Sequence, residues 1–353
     1  MLKSKFTSLL MQWHKKSNRR EMPWKGEKDP YKIWLSEIIL QQTRVEQGWN
    51  YYERFIKKYP TIQQLAKAKD EEVFKLWEGL GYYNRCKNLL ITARFISKEL
   101  NGKFPNNYDK IILLKGIGPY TAAAISSFAF NLPYAVVDGN VFRVLSRVFG
   151  IETAIDSNEG KKEFTKLADE VLDKKNAGEY NQAIMDFGAT ICKPVSPSCS
   201  SCVLQKNCNA FKEGKVNLLP FKEKVLQKKH RWFYYFLMQH DNKILVHKRN
   251  QKDIWENLFE FYLFESSEQI KWNNQLVQEW LNEQFAIKSA EVVSVSAILA
   301  QQLTHQKITG QFIKVNFKKV PTSLQHYKWL VIKKLNGLAF PKFINQFLEK
   351  EIV

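Results

Sequence analysis

The sequence predicts two domains: a mainly α-helical N-terminal region with a metal-binding cysteine loop, and an α+β C-terminal domain. Residues 1–210 consist of helix-length apolar and amphipathic segments separated by glycine and proline breakers. From residue 230 onward, short aromatic and apolar runs appear, and such runs are typical of strands. At the end of the helical region, four of the five cysteines fall within seventeen residues, at Cys192, Cys199, Cys202 and Cys208.

The helical region begins with a basic amphipathic segment at the N-terminus. Asp29-Pro30 is a helix start signal, because it joins a capping acceptor to a proline at the first helical position. The helix that follows places Glu37 on an apolar face between Ile33 and Leu40. Further helices are predicted at about 44–58, 71–77, 84–100, 109–114, 119–129, 140–149, 158–174 and 179–190.

A linker is predicted at residues 213–229, which are charged, contain a proline and show no clean period. It separates a helical region, residues 1–212, from a C-terminal domain, residues 230–353. In that domain we expect strands at 231–239, 243–248, 258–264 and 311–317, and helices near 274–284 and 341–350.

The composition favours a folded protein with a polyanionic partner. The chain has 353 residues, of which 44% are hydrophobic and 14% aromatic, so it can build two cores. Lys and Arg outnumber Asp and Glu by 54 to 35, which gives a net charge of +19. Nucleic acid is the simplest partner for that excess, and a merely solvated lysine-rich surface is the alternative. No run of 18 uncharged apolar residues occurs, so the sequence predicts no membrane span.

The cysteine spacing, Cys192-x6-Cys199-x2-Cys202-x5-Cys208, is too compact for the two separated ligand pairs of a zinc finger. Four thiolates in one short run are a common way of holding a [4Fe–4S] cluster, which we favour. Zinc in the same cage and four unrelated or disulfide-bonded cysteines remain as alternatives. A thiolate cage also suits a reducing compartment.

A glycine-bracketed turn, Gly116-Ile117-Gly118-Pro119, joins two apolar helical segments. The glycines allow close backbone approach, and the N-terminal N–H groups of the second helix suit a phosphate. This pattern indicates a helix-hairpin-helix that grips a DNA backbone. An ordinary αα-hairpin turn is the alternative.

Two carboxylates, Glu37 and Asp138, are candidate catalytic groups, the first as a proton donor and the second as an anion. Burial on an apolar helix face should raise the pKa of Glu37, as a general acid near neutral pH requires. Asp138 directly precedes the helix that contains Arg143, where N–H donors should hold it ionised. We therefore expect the two pKa values to shift in opposite directions. The alternatives are a surface glutamate and a plain N-cap aspartate.

Five segments in this order closely resemble adenine DNA glycosylases of the MutY type, which belong to the helix-hairpin-helix base-excision superfamily. The segments are WLSEIILQQTRV (34–45), GLGYYNRCKNL (79–89), LKGIGPYTAAAI (114–125), VDGNVFRVLSR (137–147) and the cysteine run. The resemblance is close over about residues 1–210 and looser over 230–353, which resembles a Nudix-like domain.

The resemblance implies a monofunctional enzyme that flips out and excises adenine paired with 8-oxoguanine, guanine or cytosine in duplex DNA. It implies that Glu37 protonates adenine N7 and that Asp138 stabilises the oxocarbenium ion. Asn140 would position the site, and the four cysteines would hold a [4Fe–4S] cluster.

Tyr120 bears on the reaction type, because endonuclease III-like enzymes carry a Schiff-base lysine at this point of the hairpin. The resemblance therefore places Tyr120 in the active site of an enzyme that has no lyase activity. One alternative is an endonuclease III-like glycosylase and lyase acting on oxidised pyrimidines. Another is a non-catalytic iron–sulfur DNA-binding module.

The resemblance also implies a set of DNA-reading residues. Gln42 and Tyr82 would wedge into the duplex, and Lys25 and Leu40 would line the adenine pocket. Gly116 and Gly118 would contact the DNA backbone.

The Nudix-like domain lacks the hydrolase box, so the resemblance implies that it binds 8-oxoguanine without hydrolysis. Thr304 and His305 would read the lesion, although the family's Phe-Ser-His is Leu303-Thr304-His305 in this chain. We expect a monomer, located in a bacterial cytoplasm with the nucleoid.

Overall fold

The computed structural model describes residues 2–223, 228–288 and 290–351. The chain divides into two compact units. The first consists of Met1–Ala68 with Lys87–Val225, and the second of Lys69–Cys86 with Leu226–Val353. Residues 224–227 of the predicted linker lie outside the described residues, so the position of the linker stays a prediction.

The first unit is built from helices, as the sequence predicted. Ten helices in the described part of the chain belong to it wholly or in large part: α1 (Leu2–Ser17), α2 (Pro30–Leu40), α3 (Val45–Lys58), α4 (Ile62–Lys67), α6 (Asn84–Glu99), α7 (Tyr108–Ile111), α8 (Pro119–Phe130), α9 (Gly139–Phe149), α10 (Asn158–Val171) and α11 (Ala177–Thr190). A short helix, α12 (Asn209–Lys212), follows the cysteines. The sequence analysis missed α4 and α12. In α4, a capping box between Thr61 and Gln64 stabilises a helix too short to show a period.

Helix α2 lies in the interior of this unit, since all of its residues from Ile33 to Ile39 are buried. Asp29 caps it by accepting from the backbone N–H of Tyr31 at 2.9 Å, and Pro30 occupies its first turn. It packs against α8, whose residues Thr121 to Ser127 are also buried. Because α2 is surrounded by protein, a carboxylate on it loses contact with water.

The glycine turn lies between α7 and α8. Gly116 has a φ of +80°, and an added Cβ would lie 2.7 Å from the Cβ of Asn88, so both conformation and space require glycine there. Gly118 is the N-cap of α8, and Pro119 is its first residue. The predicted helix–turn–helix geometry is therefore present.

The second unit contains an eight-stranded sheet with the order β3-β2-β1-β7-β5, in which β4 also pairs with β1, β6 with β7 and β8 with β2. The strands are β1 (Lys229–His240), β2 (Lys243–Lys248), β3 (Phe259–Glu260), β4 (Tyr262–Ser266), β5 (Glu291–Val295), β6 (Leu299–Gln302), β7 (Gln306–Asn316) and β8 (Lys328–Val331). The long strands β1 and β7 pair in parallel, and the other pairs are antiparallel.

Three helices complete the second unit: α5 (Asp70–Trp77), α13 (Asn274–Phe285) and α14 (Lys342–Glu351). The predicted α+β class is confirmed. The sequence analysis missed β5, β6 and β8, because four- or five-residue strands with mostly exposed or half-buried side chains show no apolar run. No helix within the described residues is long and apolar enough to span a bilayer.

Candidate active site and cysteine loop

The first unit encloses a cavity of about 370 Å³ that brings the predicted catalytic residues together. Glu37 from α2, Tyr120 from α8, and Asp138 and Asn140 at the start of α9 all line it. Their positions in the chain span about a hundred residues. The cavity falls in the usual volume range of small-ligand pockets, about 300–1,000 Å³.

Glu37 is the buried acid of this cavity. Its side chain is 6% exposed, and burial raises its pKa to about 7. A hydrogen bond from Tyr120 opposes this shift, and the negative charge of Asp138 adds to it. The carboxyl group can therefore hold a proton near neutral pH, as the sequence analysis expected of a general acid.

Tyr120 lies against both carboxylates. Burial, together with the charges of Glu37 and Asp138, raises the pKa of its phenol well above the ordinary value. The hydroxyl therefore stays protonated and donates its hydrogen bond to Glu37. A phenol in this position cannot form an imine, because it has no amine nitrogen.

Asp138 is the N-cap of α9 and accepts three hydrogen bonds. The backbone N–H groups of Asn140 and Val141 donate to its Oδ1 at 2.8 Å each, and Asn140 Nδ2 donates to its Oδ2 at 2.7 Å. The expectation of opposite pKa shifts for Asp138 and Glu37 is wrong, because the pKa of Asp138 is also raised. Burial outweighs the lowering by the three donors and the nearby Arg143.

Two arginines of α9 connect this site to the cysteine loop. Arg143 donates to Asn140 Oδ1 at 2.8 Å and to the carbonyl oxygen of Cys192 at 2.7 Å. Arg147 donates to the carbonyl of Lys193 at 2.8 Å and lies 3.5 Å from the sulfur of Cys192. Both side chains are buried, so α9 fixes the position of the cysteine loop relative to Asp138.

The four clustered cysteines line one common cavity beside α9 and α11, and none of them forms a disulfide. In the part of the chain that the structure describes, no three His, Cys, Asp or Glu side chains are arranged around a single metal ion. The four thiols line one space, and four thiolates in a short run are a donor set that fits an iron–sulfur group. Cys86 is fully buried apart from them.

The predicted base-pocket and wedge residues fall into two groups. Lys25 and Leu40 line the active-site cavity. Gln42, in the same unit, is exposed and has a φ of +58°, and Tyr82, in the second unit, is 42% exposed with a φ of +49°. Left-handed conformations are unfavourable for such side chains and cluster at functional sites.

The predicted lesion-reading residues lie at the tip of the β6–β7 hairpin. Thr304 and His305 are exposed there, and the turn is closed by a hydrogen bond of 2.8 Å from the N–H of Leu303 to the carbonyl of Gln306. The hydroxyl groups of Thr304 and Tyr82 are hydrogen-bonded to each other. The second unit thus places its predicted wedge residue next to its predicted reading residue.

Further polar residues of the cavity were not found by sequence reasoning. His14, Arg20, Glu179 and Gln182 line the cavity, and Asp186 lies directly behind them. These residues come from α1, the loop after it, and α11. They carry no motif, and only the fold brings them together.

Two protein families match this chain, one over each part of it. Residues 35–170 match the HhH-GPD superfamily of base excision DNA repair proteins, and residues 233–350 match the NUDIX domain family. The helix-hairpin-helix and Nudix-like parts of the fold prediction are therefore confirmed.

Curated relatives match along nearly all or more than half of the chain. An adenine DNA glycosylase of Buchnera aphidicola (subspecies Acyrthosiphon pisum) is 34% identical over 360 residues, covering 99% of this chain and 98% of the relative. The human adenine DNA glycosylase is 41% identical over 214 residues, covering 58% of this chain and 39% of the relative.

Among solved structures, a thermostable thymine-DNA glycosylase aligns with a TM-score of 0.56 at 31% identity, over 60% of this chain and 97% of the other. A trapped endonuclease III–DNA covalent intermediate aligns with a TM-score of 0.52 at 24% identity, over 60% of this chain and 98% of the other. The second likeness is one of fold.

Proposed function

The chain belongs to the adenine DNA glycosylase family, and from that membership we propose that it excises adenine paired with 8-oxoguanine in duplex DNA. Family membership supports an N-glycosyl hydrolase of base excision repair that acts on adenine. Our proposal adds the partner base, the catalytic roles and the cofactor. Activity on adenine opposite guanine or cytosine is part of it.

The observation that carries the proposal is that Glu37, which is buried, and Asp138, which is half-buried, line one cavity together with Tyr120. A glycosidic bond is out of reach inside a duplex, so the adenosine must leave the stack and enter such a cavity. Glu37 is suited to donate its proton to N7 of the base, because its pKa of about 7 leaves it half protonated at neutral pH. A protonated adenine is a better leaving group.

Asp138 is suited to the second half of the reaction. As the base leaves, the sugar gains positive charge, and a carboxylate held by three donors faces the same cavity with a fixed orientation. It would stabilise that charge or bond to the sugar transiently, a division of labour also found between the two carboxylates of glycosidases. Asn140 fixes the Asp138 side chain.

The proposed enzyme is monofunctional. Tyr120 offers no amine, and both cavity-lining lysines are engaged. Lys25 Nζ donates to the carbonyl of Arg20 at 2.5 Å and pairs with Asp186 at 3.4 Å. Lys28 Nζ donates to the carbonyl of Phe128 at 3.0 Å. An engaged, charged amine is a poor Schiff-base nucleophile.

We also propose that Cys192, Cys199, Cys202 and Cys208 hold a [4Fe–4S] cluster, supported by their shared cavity and by the family. When bound, the cluster would supply structural cross-linking of the loop. The loop residues themselves would then present Lys193 and Lys206 to phosphates. A bacterial cytoplasmic, nucleoid-associated location and a monomeric state belong to the same proposal.

The second unit is proposed to read 8-oxoguanine without hydrolysing it. The hairpin residues Thr304 and His305 offer a hydroxyl and an imidazole, and Tyr82 offers a wedge held next to Thr304. Gln42 would wedge from the first unit. Gly116 and Gly118 would let the α7–α8 turn approach the DNA backbone.

A base-release assay tests the proposed function. Duplexes with adenine opposite 8-oxoguanine, guanine, cytosine or thymine are incubated with the full chain and worked up with or without alkali. We expect release that is fastest opposite 8-oxoguanine, with strand breaks only after alkali. Strand breaks without alkali, or release of an oxidised pyrimidine in preference to adenine, would favour an endonuclease III-like enzyme.

The reader role has its own test. Replacing Thr304→Val keeps the side-chain shape and removes the hydroxyl, so the preference for 8-oxoguanine over guanine should fall while adenine release opposite guanine persists. The matched control is Thr322→Val, which lies outside the hairpin. If the variant and the wild type show the same ratio of adenine release opposite 8-oxoguanine to release opposite guanine, Thr304 does not take part in recognising the lesion.

A further inference from the structure

Asp186 is a buried carboxylate for which neither the family motifs nor the proposed mechanism gives a role. It lies on α11, and its side chain is fully inaccessible to solvent. Four side chains contact it: Asn18 Nδ2 at 2.7 Å, Arg20 at 2.9 Å, Gln182 Nε2 at 2.9 Å and Lys25 at 3.4 Å. A carboxylate buried this completely is rarely kept unless its partners need it.

Three of those partners, Arg20, Lys25 and Gln182, line the active-site cavity. Asp186 itself stands behind them. It therefore fixes the orientation of two cations and one amide on the cavity wall without touching the contents of the cavity. The 166 residues between Arg20 and Asp186 mean that only the folded first unit creates this contact.

Several charged groups lie on or behind this wall, and one of them, Lys28, donates to the carbonyl of Phe128 at 3.0 Å. Arg20 and Lys25 are cationic, and Asp186 is anionic. On α11, Glu179 pairs with Lys15 at 3.9 Å. Burial and Lys25 lower the pKa of His14, and the charge of Asp186 opposes that shift. On the loop before α2, Glu27 pairs with Lys32 at 3.1 Å. At the other end of the cavity, Glu37 accepts a hydrogen bond from Tyr120, and Asp138 lines the same cavity.

We propose that Asp186 is a positioning residue that holds Arg20 and Lys25 against the cavity wall and offsets their positive charge, so that the cavity accepts a base that becomes protonated. Asp186 offsets one of these two positive charges, so without this anion the wall would carry one more uncompensated positive charge. That charge would favour the ionised form of Glu37 and disfavour a protonated purine, and both effects oppose proton donation. This inference rests on the proposed function of Glu37.

The test is the pH profile of single-turnover adenine release, measured on wild type, Asp186→Asn and the double variant Arg20→Gln/Asp186→Asn. The wild-type rate should fall as pH rises through a midpoint set by Glu37. In Asp186→Asn we expect a slower rate and a midpoint lowered by roughly one pH unit, the size of one uncompensated charge in a partly buried cavity. The double variant, which removes one charge of each sign, should return the midpoint toward the wild-type value.

A merely structural role predicts the opposite pattern. Loss of packing would slow release equally at every pH, and the double variant, with two contacts missing, would be slower still with an unmoved midpoint. A folded Asp186→Asn protein with the wild-type midpoint therefore overturns the proposal. If Asp186→Asn does not fold, Arg20→Gln alone should raise the midpoint, because it removes a positive charge. No movement in that variant overturns the proposal equally.

The two proposals fail in different ways. If wild type releases no adenine from any duplex, or if Glu37→Gln releases it at the wild-type rate, the proposed function is wrong. Only the role of Asp186 is wrong if wild type is active, Glu37→Gln is inactive, and Asp186→Asn has the same midpoint of the pH profile as wild type.

Discussion

Replacing Glu37→Gln should abolish adenine release and at the same time stabilise the protein at alkaline pH. Burial raises the pKa of this carboxyl group from 4.5 to about 7. Between these values, the folded protein holds a proton on Glu37 that the unfolded chain has lost. The free energy of unfolding therefore falls as pH rises through this window, by about 3 kcal/mol at roughly 1.4 kcal/mol per pKa unit. Glutamine does not titrate, so the variant escapes this loss.

The magnitude can be measured by thermal unfolding of wild type and Glu37→Gln at pH 4.5, 6 and 8. We expect similar stability at pH 4.5, and a gap in favour of the variant that grows to about 3 kcal/mol by pH 8. For a unit of this size, that gap corresponds to roughly 6–12 °C in Tm. The matched control is Glu163→Gln, an exposed glutamate on α10, which should follow the wild type at every pH.

One result would refute the reasoning. A constant difference between Glu37→Gln and wild type across this pH range would mean that Glu37 titrates alike in the folded and unfolded states. The carboxyl group would then be largely ionised at pH 7, and it could not serve as the proton donor. If the stability difference grows with pH but Glu37→Gln still releases adenine, the raised pKa of Glu37 is confirmed and only its role as the general acid is wrong.

Three further predictions test the other parts of the site. Asp138→Asn should lower single-turnover release about a hundredfold or more with little change in duplex affinity, because it removes the anion that faces the sugar; near-normal rates in a rapid-quench assay would contradict this. Tyr120→Lys should give a borohydride-trapped adduct with DNA, since it places an amine in the cavity that Glu37 and Asp138 line. The absence of an adduct would contradict the placement of that side chain at the sugar. Cys202→Ala should lose bound iron, measured per chain by chemical assay, and weaken binding to undamaged duplex; full iron content would show that Cys202 is not a ligand.

Local patterns singled out the proposed catalytic pair, and the structure places both residues on one cavity. Glu37 interrupts an otherwise apolar helix, and a carboxylate there must be buried when the helix packs on both sides. Asp138 directly precedes a helix, so its capping role could be predicted. In the structure, two backbone N–H groups donate to it at 2.8 Å. The direction of the pKa shift of Asp138 could not be predicted from the sequence, because its burial depends on helices far away in the chain.

Other features depend on contacts that no local pattern encodes. Arg20 and Asp186 meet across 166 residues, and Arg143 reaches the carbonyl of Cys192 across 49. Strand β5, with the sequence EVVSV, has only exposed or half-buried side chains, so it shows no apolar run that would indicate a strand. Sequence thus predicted residues whose chemistry is local and missed those whose role comes from the fold.

The most direct test of the central claim uses a duplex in which the adenine opposite 8-oxoguanine is replaced by 7-deazaadenine, which has carbon in place of N7. If Glu37 releases the base by donating its proton to N7, the enzyme should bind this duplex as tightly as the adenine duplex and leave the base in place, in a single-turnover assay that releases adenine completely. Release of 7-deazaadenine at a rate comparable to adenine would contradict the account.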